Sequence, residues 1–316
     1  MAPTMSYIQI EGIHLPVPQL ILGSMMLNIE NYDYSFGLLD AYYANGGNAI
    51  DLAKVYGPKP TRAVGEWMKV RGNRDRMILI GKGAHHDANG PRMKLEHMEE
   101  DLNLQLGWLD SDYFDIFMLH RDDPNTSVGY ILESLEALLE AGLCRAIGVS
   151  NWSTARIQEA NDYSAAHGLR GFVCNSPNLS LARAKEPRWL GCVSVDDAYA
   201  NWHEQTQLPL LSWTSQAIGF FTGRYSPDLR DESDIVRVYY SEENWERYRR
   251  AATLADERGV NANHIALAYV LRQPFPTCAL IGPNNLDELS SSMEALTVSL
   301  SPKEMLWLDL KTEHPN

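Results

Sequence analysis

A chain of 316 residues with 45% hydrophobic and 22% charged residues has ample apolar material for a large core. Its formal net charge of -14 disfavours a nucleic-acid backbone or an anionic membrane surface as the main partner. No basic segment precedes an apolar core at the N-terminus, and no run of about 18 apolar residues occurs, so neither a signal peptide nor a membrane span is expected. The four cysteines show no C-x-x-C spacing, and we expect free thiols in a cytoplasmic protein.

The hydrophobic pattern predicts strands and helices in alternation along the chain. Residues 7–17 alternate around Gly12 and predict a small N-terminal hairpin. Short apolar runs predict eight buried strands, at 20–27, 49–51, 77–82, 113–120, 144–150, 171–175, 208–213 and 278–282. Periodic segments bounded by cap and stop residues predict helices at 33–45, 61–70, 93–107, 127–141, 153–167, 194–206, 243–258, 261–272, 285–295 and 302–310.

Eight strands that alternate with helices favour a parallel (β/α)8 barrel over a doubly wound sheet. No G-x-G-x-x-G follows the first strand, and no linker rich in Pro, Gly or Ser interrupts the chain. We therefore predict that residues 1–316 form a single domain of the α/β class. Its predicted fold is a (β/α)8 TIM barrel with an N-terminal β-hairpin and additional C-terminal helices. The connection 214–242 is too long for a simple βα loop, and we expect it to be functional.

In such a barrel the chemistry gathers at the carboxyl ends of the strands. The residues at those ends are Ser24, Asp51 followed by Tyr56, Lys82, His120, Ser150 with Asn151, Asn175 with Ser176, Trp213 and Gly282. Single members have structural alternatives, because Asp51 can cap a helix, while Tyr56 and His120 can be packed or buried for stability alone. Lys82 is harder to explain in that way, since lysine is rarely buried without a partner. The joint placement at successive strand ends favours one shared site.

Asp, Tyr, Lys and His together form an acid–base device. A tyrosine has an ordinary pKa of about 10, and a neighbouring ammonium such as Lys82 is expected to lower the pKa of Tyr56. A carboxylate such as Asp51 keeps that lysine charged and in place. A histidine beside the phenol can orient a carbonyl oxygen or relay its proton. The set suits the interconversion of a carbonyl and an alcohol, and it requires a source of hydride.

Five segments of the chain, in order, carry a family resemblance. They are 48–57 (NAIDLAKVYG), 119–124 (LHRDDP), 148–151 (GVSN), 212–223 (SWTSQAIGFFTG) and 280–283 (LIGP). They are similar to the D-T-A-x-x-Y-G, L-H-R-x-D-P, G-V-S-N, Y-S-P-L-x-x-G-x-L-T-G and eighth-strand phosphate segments of the aldo-keto reductases. From about residue 14 to residue 310 the chain therefore resembles this family, whose (β/α)8 barrel binds an extended nicotinamide cofactor without a Rossmann domain.

The resemblance implies NAD(P)H-dependent reduction of an aldehyde or ketone, with Tyr56 as the general acid. It implies that Lys82 and Asp51 depress the pKa of Tyr56, and that His120 orients the substrate carbonyl. Ser150 and Asn151 would hydrogen-bond the carboxamide, and Trp213 would stack on the nicotinamide ring. The residues implied to contact the cofactor are Ser24, Met25, Ser150, Asn151, Ser176, Trp213, Ser215, Gln216, Gly219, Gly282, Pro283, Asn284, Glu288 and Ser292.

The chain departs from the family pattern at both ends of the implied cofactor. Leu52 replaces a threonine of the family pattern. Ser176 stands where many members have a glutamine that reaches the carboxamide, so the contact with the carboxamide is weakened here or is made by Asn178. At the adenosine end, no basic residue occurs from 273 to 302, and Glu288 falls at about the position of a conventional arginine. Acidic residues disfavour the 2′-phosphate of NADPH, although Arg224 could reach it from the long loop. NADPH, the family default, and NADH both remain open.

The expected partner is a small carbonyl compound. The mixture of aromatic and polar residues suits a sugar-like or other hydroxylated carbonyl, and an aromatic aldehyde stays open. Met25, Met26, His85, His86 and Trp152 are candidates for the substrate pocket beside Tyr56 and His120. His85 and His86 are either a polar loop near the mouth or a ligand or second proton relay. We expect no metal, nucleic acid or membrane partner. The alternatives are a metal-dependent barrel hydrolase, which leaves Lys82 and Tyr56 unexplained, and a non-catalytic regulatory protein on the same fold.

Overall fold

Eight parallel strands close into a barrel in the computed structural model, which describes residues 4–229, 231 and 233–315. Each strand pairs with its neighbour in the chain, and the last pairs with the first through Ala279 opposite Leu20. The barrel strands are β3 (Leu20–Gly23), β4 (Ala49–Asp51), β5 (Ile78–Gly83), β6 (Phe114–Leu119), β7 (Cys144–Ser150), β8 (Phe172–Ser176), β9 (Leu210–Ser212) and β10 (Thr277–Ile281). The predicted (β/α)8 TIM barrel is confirmed.

Helices surround the barrel, and side-chain caps begin several of them. The hydroxyls of Ser127 and Ser153 accept backbone N–H groups of their own first turns, as helix starts require. The helices are α1 (Tyr32–Ala44), α2 (Pro58–Arg71), α3 (Leu95–Leu109), α4 (Val128–Glu140), α5 (Thr154–His167), α6 (Asp197–Thr206), α7 (Asp234–Tyr239), α8 (Glu242–Arg258), α9 (Ala262–Leu271), α10 (Leu286–Glu294) and α11 (Pro302–Leu308). None of them, in the part of the chain described, has the length and apolarity to cross a membrane.

The N-terminal hairpin covers one end of the barrel. Strands β1 (Tyr7–Ile8) and β2 (Val17–Pro18) pair antiparallel, as predicted, although each is only two residues long. The connection between them contributes Ile10 and Ile13 to an apolar cluster with residues of the barrel interior. That end is therefore filled with side chains, and the strands point their carboxyl ends toward the opposite mouth.

Strand pleating determines which polar side chains reach that mouth. In β5, Ile78 and Ile80 belong to the interior cluster, whereas Leu79 belongs to the core between barrel and helices. Because side chains alternate between the two faces of a strand, Lys82 continues the interior row. The same alternation after Ile116 and Met118 in β6 brings His120 inward. Asp51 follows Ala49 in β4 in the same way, so three polar residues share one layer at the mouth.

Two segments differ from the predicted elements. The first barrel strand ends at Gly23 rather than residue 27, because the chain turns and Leu27 N–H donates to Ser24 O at 2.8 Å. The long connection after β9 contains a 3-10 segment, Ala217–Thr222, and helix α7, neither of which the sequence predicted. The four cysteines are free and buried, as expected.

Candidate active site

A buried ion pair lies at the centre of the mouth. Lys82 Nζ contacts Asp51 Oδ1, and both residues are 3% exposed. The other oxygen, Asp51 Oδ2, accepts the Tyr56 hydroxyl at 3.4 Å. Tyr56 comes from the 3-10 turn Lys54–Tyr56 directly after β4, and Gly57 ends that turn at a φ of 81°. The structure thus brings together the acid, the phenol and the lysine that the sequence placed at successive strand ends.

His120 completes the group on the side of β6. Its ring centre lies 6.2 Å from that of Tyr56, with the two planes nearly perpendicular. Among the described residues, Nδ1 of His120 has no hydrogen-bond partner although the side chain is buried. Burial and the positive charges of Lys82 and Arg121 hold the pKa of His120 well below its ordinary value. The ring is therefore neutral at physiological pH.

The pKa of Tyr56 is raised, which corrects the expectation that Lys82 lowers it. Burial is the main cause, and the negative charge of Asp51 and its hydrogen bond to the phenol add to the rise. The phenol donates to the carboxylate, and a carboxylate stabilises the protonated form of its donor. Lys82 Nζ lies 5.3 Å from the Tyr56 ring centre and is bonded to Asp51 instead. The phenol accordingly keeps its proton at neutral pH.

Two residues without a predicted role also shape the mouth. Arg121, inside the 119–124 motif, is buried and donates from Nη1 to His120 O at 2.8 Å. Trp189 lies on the connection after β8, where no sequence pattern distinguished it. Its ring centre is 6.1 Å from that of Trp213, with an angle of 36° between the planes. The motif is the signal that could have identified Arg121, whereas the position of Trp189 depends on the path of a loop.

The residues expected at the carboxamide are bonded to one another. Ser150 Oγ donates to Ser176 O at 2.7 Å and accepts Asn151 Nδ2 at 2.9 Å. Asn151 Oδ1 accepts Trp213 Nε1 at 3.2 Å. Ser176 Oγ donates to Leu211 O at 2.6 Å, so its hydroxyl hydrogen is already used. These bonds connect β7, β8 and β9 into one rigid wall beside His120.

Asn178, the expected substitute for the family glutamine, holds the loops together in this structure. Its Nδ2 donates to Trp213 O at 3.0 Å, and its Oδ1 accepts Ser194 Oγ at 3.2 Å. On the opposite wall, Ser24 is buried, and its hydroxyl has no partner among the described residues. Ser24 is 0% exposed, so its hydroxyl is enclosed in this structure, whereas Asn178 is bonded to the Trp213 backbone.

The predicted substrate residues other than Trp152 are either half-buried or exposed. His85 is half-buried, with its ring centre 5.0 Å from that of His120, and burial lowers its pKa. His86 is exposed, and its carbonyl oxygen lies 2.8 Å from His85 Nδ1. Met25 is 64% exposed, while Met26 is half-buried and packs toward Gly282.

Trp152 does not reach the mouth in this structure. Its side chain is 0% exposed, and its ring centre lies 5.4 Å from that of Phe172. Trp152 Nε1 donates to Arg121 O at 3.1 Å. Trp152 therefore has no exposed surface with which to line the substrate pocket, because its ring packs beneath the backbone of Arg121.

The loop after β9 turns through left-handed residues. Ala217, Ile218 and Gly219 have φ values of 47°, 58° and 81°. The N–H groups of Ala217 and Gly219 donate to Thr214 O and Gln216 O at 2.9 and 2.8 Å, so both are used within the turn. Ser215 Oγ donates to Leu280 O at 2.8 Å, which attaches this loop to β10. Gln216 Oε1 accepts Asn263 Nδ2 at 2.6 Å. The expected contact of Ser215, Gln216 and Gly219 with a pyrophosphate stays a prediction.

In the segment after β10, the side chain of a glutamate occupies the N–H donors that could bind an anion. Glu288 Oε2 accepts both the backbone N–H of Asn284, at 2.8 Å, and Asn284 Nδ2, at 3.0 Å. Asn285 caps α10 by accepting Glu288 N–H at 2.8 Å, and Ser292 Oγ donates to Glu288 O at 2.9 Å. Gly282 and Pro283 connect β10 to this turn. The donors that would receive a phosphate here are occupied by the carboxylate of the chain itself.

The donor set across the mouth fits a nicotinamide dinucleotide, with one exception. The Trp213 ring is half-buried at the end of β9, where a nicotinamide ring can stack on it, and Ser215 and Gln216 tie the following loop to β10 and α9. The exception is the 2′-phosphate, because Glu288 fills the donors near α10. Across residues 4–229, 231 and 233–315, His, Cys, Asp and Glu side chains form no group of three placed to hold a metal ion.

The structure is a closed (β/α)8 barrel with a buried Lys–Asp pair, a phenol and a neutral imidazole at the carboxyl ends of its strands. These features define a barrel oxidoreductase that interconverts carbonyls and alcohols. A model of the Aldo/keto reductase family matches residues 19–312, and the chain belongs to this family. It is an NAD(P)-dependent oxidoreductase that acts on small-molecule carbonyl substrates.

Relatives from fungi and bacteria are similar along most of their length. An aryl-alcohol dehydrogenase of Phanerodontia chrysosporium, whose name specifies NADP(+), is 26% identical over 94% of this chain and 83% of its own. Norsolorinic acid reductase stcV of Emericella nidulans is 29% identical over 86% of this chain and 70% of its own. Protein tas of Escherichia coli is 26% identical over 94% of both chains.

Proposed function

We propose that this chain reduces an aldehyde or ketone to an alcohol with Tyr56 as the general acid. The observation that supports this most directly is the hydrogen bond of the Tyr56 phenol to Asp51, within the buried pair of Asp51 and Lys82. A bound reduced nicotinamide supplies the hydride. The residues that would hold it are those from Trp213 to Gly219 and from Gly282 to Ser292, together with Ser24, Met25, Ser150, Asn151 and Ser176.

The raised pKa of Tyr56 suits the direction of reduction. A general acid must keep its proton until the carbonyl oxygen gains negative charge, and the buried phenol does so. When the proton has left, the phenolate has the ammonium of Lys82 nearby, which stabilises its charge. The neutral His120 ring can donate an N–H to the same carbonyl oxygen without competing for the proton.

The mouth favours an aromatic carbonyl compound over a sugar-like one. Trp189 and Trp213 form one wall, and the rings of His85, His120 and Tyr56 form another. Offset or edge-on contacts between rings stabilise an aromatic ligand beyond its buried area. The name of one relative refers to aryl alcohols, in agreement with this preference.

Replacing Tyr56 by Phe tests the acid assignment. We expect kcat for aromatic aldehydes to fall by about 10²- to 10⁴-fold, because proton donation is lost while the ring remains. The rate is followed by the absorbance of the reduced nicotinamide. The matched control is Tyr130→Phe, since Tyr130 is 43% exposed on α4. Full activity of Tyr56→Phe would contradict the assignment, and failure to bind either NADH or NADPH would contradict the proposed function.

We further infer that NADH is the preferred cofactor. The Glu288 carboxylate already accepts two N–H groups of Asn284, and no basic residue occurs from 273 to 302. Arg224, the distant candidate, is exposed and makes no ion pair with the described residues. A carboxylate repels a phosphate, whereas it can accept the ribose 2′-hydroxyl of NADH, as acidic residues do in other dinucleotide sites.

Titration of tryptophan fluorescence with NADH and NADPH tests this preference. We expect tighter binding of NADH to the unmodified chain. Glu288→Lys should shift the NADPH-to-NADH affinity ratio by about tenfold or more toward NADPH, as one charge-assisted hydrogen bond allows. Asp287→Lys is the matched control, because Asp287 is exposed in the same helical turn. Tighter binding of NADPH to the unmodified chain would contradict the inference.

A further inference from the structure

His85 has an accessible ring nitrogen without a partner, close to the candidate catalytic residues. It lies in the connection after β5, just beyond Lys82, and its ring centre is 5.0 Å from that of His120. The residue is half-buried. Its Nε2 makes no hydrogen bond with the described residues, and it keeps accessible surface, unlike the enclosed Nδ1 of His120. A ligand in the mouth can therefore contact this atom.

The tautomer of His85 follows from its hydrogen bond to the backbone. Nδ1 of His85 lies 2.8 Å from His86 O, and a carbonyl oxygen can only accept, so Nδ1 carries the proton. Burial lowers the pKa of His85, which keeps the ring neutral at neutral pH. In a neutral imidazole with a protonated Nδ1, the other nitrogen is an acceptor. Nε2 of His85 therefore presents a lone pair that only a hydroxyl or N–H donor can satisfy.

The loop that carries His85 is fixed on both sides of the residue. Ala84 has a left-handed backbone with a φ of 58°, which is uncommon for a residue other than glycine. Its N–H donates to Oδ2 of the fully buried Asp101 at 2.9 Å. After His85, Asp87 and Gly90 exchange backbone hydrogen bonds at 3.0 and 3.1 Å. The acceptor nitrogen is thus held in place before a ligand binds, which lowers the entropic cost of binding.

His85 is separated from Tyr56 by the ring of His120. The His120 ring centre lies 6.2 Å from that of Tyr56 and 5.0 Å from that of His85, and its plane is nearly perpendicular to both. In the proposed reaction the carbonyl oxygen contacts Tyr56 and His120. A donor that meets His85 must therefore lie away from the carbonyl group, on the ring of an aromatic substrate.

We propose that His85 is a specificity-determining residue that accepts a hydrogen bond from a hydroxyl group on the aromatic ring of the substrate. The preferred substrates are then aromatic aldehydes or ketones that carry a ring hydroxyl. A site with a built-in acceptor disfavours an analogue without the donor, because the acceptor is left unpaired. The proposal rests on the proposed carbonyl reduction and narrows its substrate class, while proton transfer stays with Tyr56.

A matched pair of aldehydes tests the proposal. The phenol of meta-hydroxybenzaldehyde keeps its proton at neutral pH, as that of tyrosine does, and meta-methoxybenzaldehyde has the same oxygen without the donor. We expect kcat/KM to favour the hydroxy compound in the unmodified chain. His85→Phe should lower this preference by about 3- to 10-fold, the range for one lost neutral hydrogen bond. His85→Gln keeps an acceptor oxygen and should lower it less.

His167→Phe is the matched control. His167 Nδ1 also lies 2.8 Å from a backbone carbonyl oxygen, that of Tyr163, but the ring is exposed at the end of α5. This variant should prefer the hydroxy compound as strongly as the unmodified chain does. If His85→Phe does not fold, His85→Ala takes its place, since it also removes the acceptor.

The outcomes separate the specificity proposal from the proposed function. An unmodified chain without a preference for the hydroxy compound, or a preference that is unchanged when the acceptor is removed, overturns the role of His85. If neither aldehyde is reduced with NADH or NADPH, the proposed function fails, and calorimetric titration of both aldehydes in the presence of oxidised nicotinamide dinucleotide still tests the site. Tighter binding of the hydroxy compound that is lost in His85→Phe supports the site, and equal binding of the two aldehydes overturns it.

Discussion

At the scale of single residues, Asp51 and Lys82 are tolerable inside the barrel only as a pair. Both are 3% exposed, and each supplies the opposite charge for the other. Burial raises the pKa of Asp51, while the charge of Lys82 opposes that rise. Gln105 Nε2 donates to Lys82 O at 3.2 Å and fixes the strand end that carries the lysine. Removing either member would therefore leave the other charge buried without its partner.

Asp51→Asn is expected to lower the free energy of unfolding by about 3–5 kcal/mol, because it leaves the Lys82 charge buried without a partner. Urea denaturation at neutral pH measures this change. The double variant Asp51→Asn/Lys82→Met should recover most of the loss, since both charges are removed. As a control, Asp110→Asn breaks the exposed Lys69–Asp110 pair and should have little effect. An Asp51→Asn variant as stable as the original chain would show that Lys82 finds another partner.

The sequence predicts which residues form the candidate site better than it predicts how they ionise. Asp51, Lys82 and His120 could be assigned to one layer because strand alternation and strand ends are visible in the sequence. The direction of the Tyr56 pKa could not be predicted, because it depends on whether the phenol bonds to Asp51 or to Lys82. Arg121 was visible in a motif, but its burial and its hydrogen bond to His120 O appear only in the structure.

At the scale of elements, the regular strands and helices were predictable and the connections were not. All eight barrel strands lie where apolar runs predicted them, because interior strands are apolar on both faces. Helix α7 was missed, since six residues rich in Ile and Val resemble a strand. Its residues Ile235, Val238 and Tyr239 are buried with a helical spacing that only the packed structure reveals.

The missed connections lie next to the candidate site. The 3-10 segment Ala217–Thr222 owes its shape to left-handed residues, two of which are not glycine, so turn signals did not indicate it. The loop that carries Trp189 and Cys192 follows β8 and places the Trp189 ring centre 6.1 Å from that of Trp213 and Cys192 Sγ 3.4 Å from Arg121 Nη2. In barrels of this kind, loops held by the rigid strands commonly carry binding residues.

At the scale of the whole molecule, histidines buried in the neutral form make stability depend on pH. Burial lowers the pKa of His203 to about 4. His203 Nδ1 lies 2.8 Å from Leu208 O, and Nε2 lies 3.3 Å from Asn175 Nδ2, so the neutral ring donates from one nitrogen and accepts at the other. Below a pH of about 6.5 the unfolded chain binds a proton at this residue and the folded chain does not. Stability is therefore complete above that pH and is lost as the pH falls toward 4.

We expect His203 alone to remove about 2 kcal/mol of unfolding free energy between pH 7 and pH 5, given its folded pKa of about 4. Urea denaturation at a series of pH values measures the slope. His203→Gln keeps a hydrogen-bonding side chain that does not titrate, so its stability should depend less steeply on pH over that interval. His314→Gln is the control, because His314 is exposed near the C-terminus and its replacement should leave the slope unchanged. Equal slopes for His203→Gln and the original chain would show that His203 takes up its proton in the folded state, which the amide of Asn175 facing Nε2 opposes.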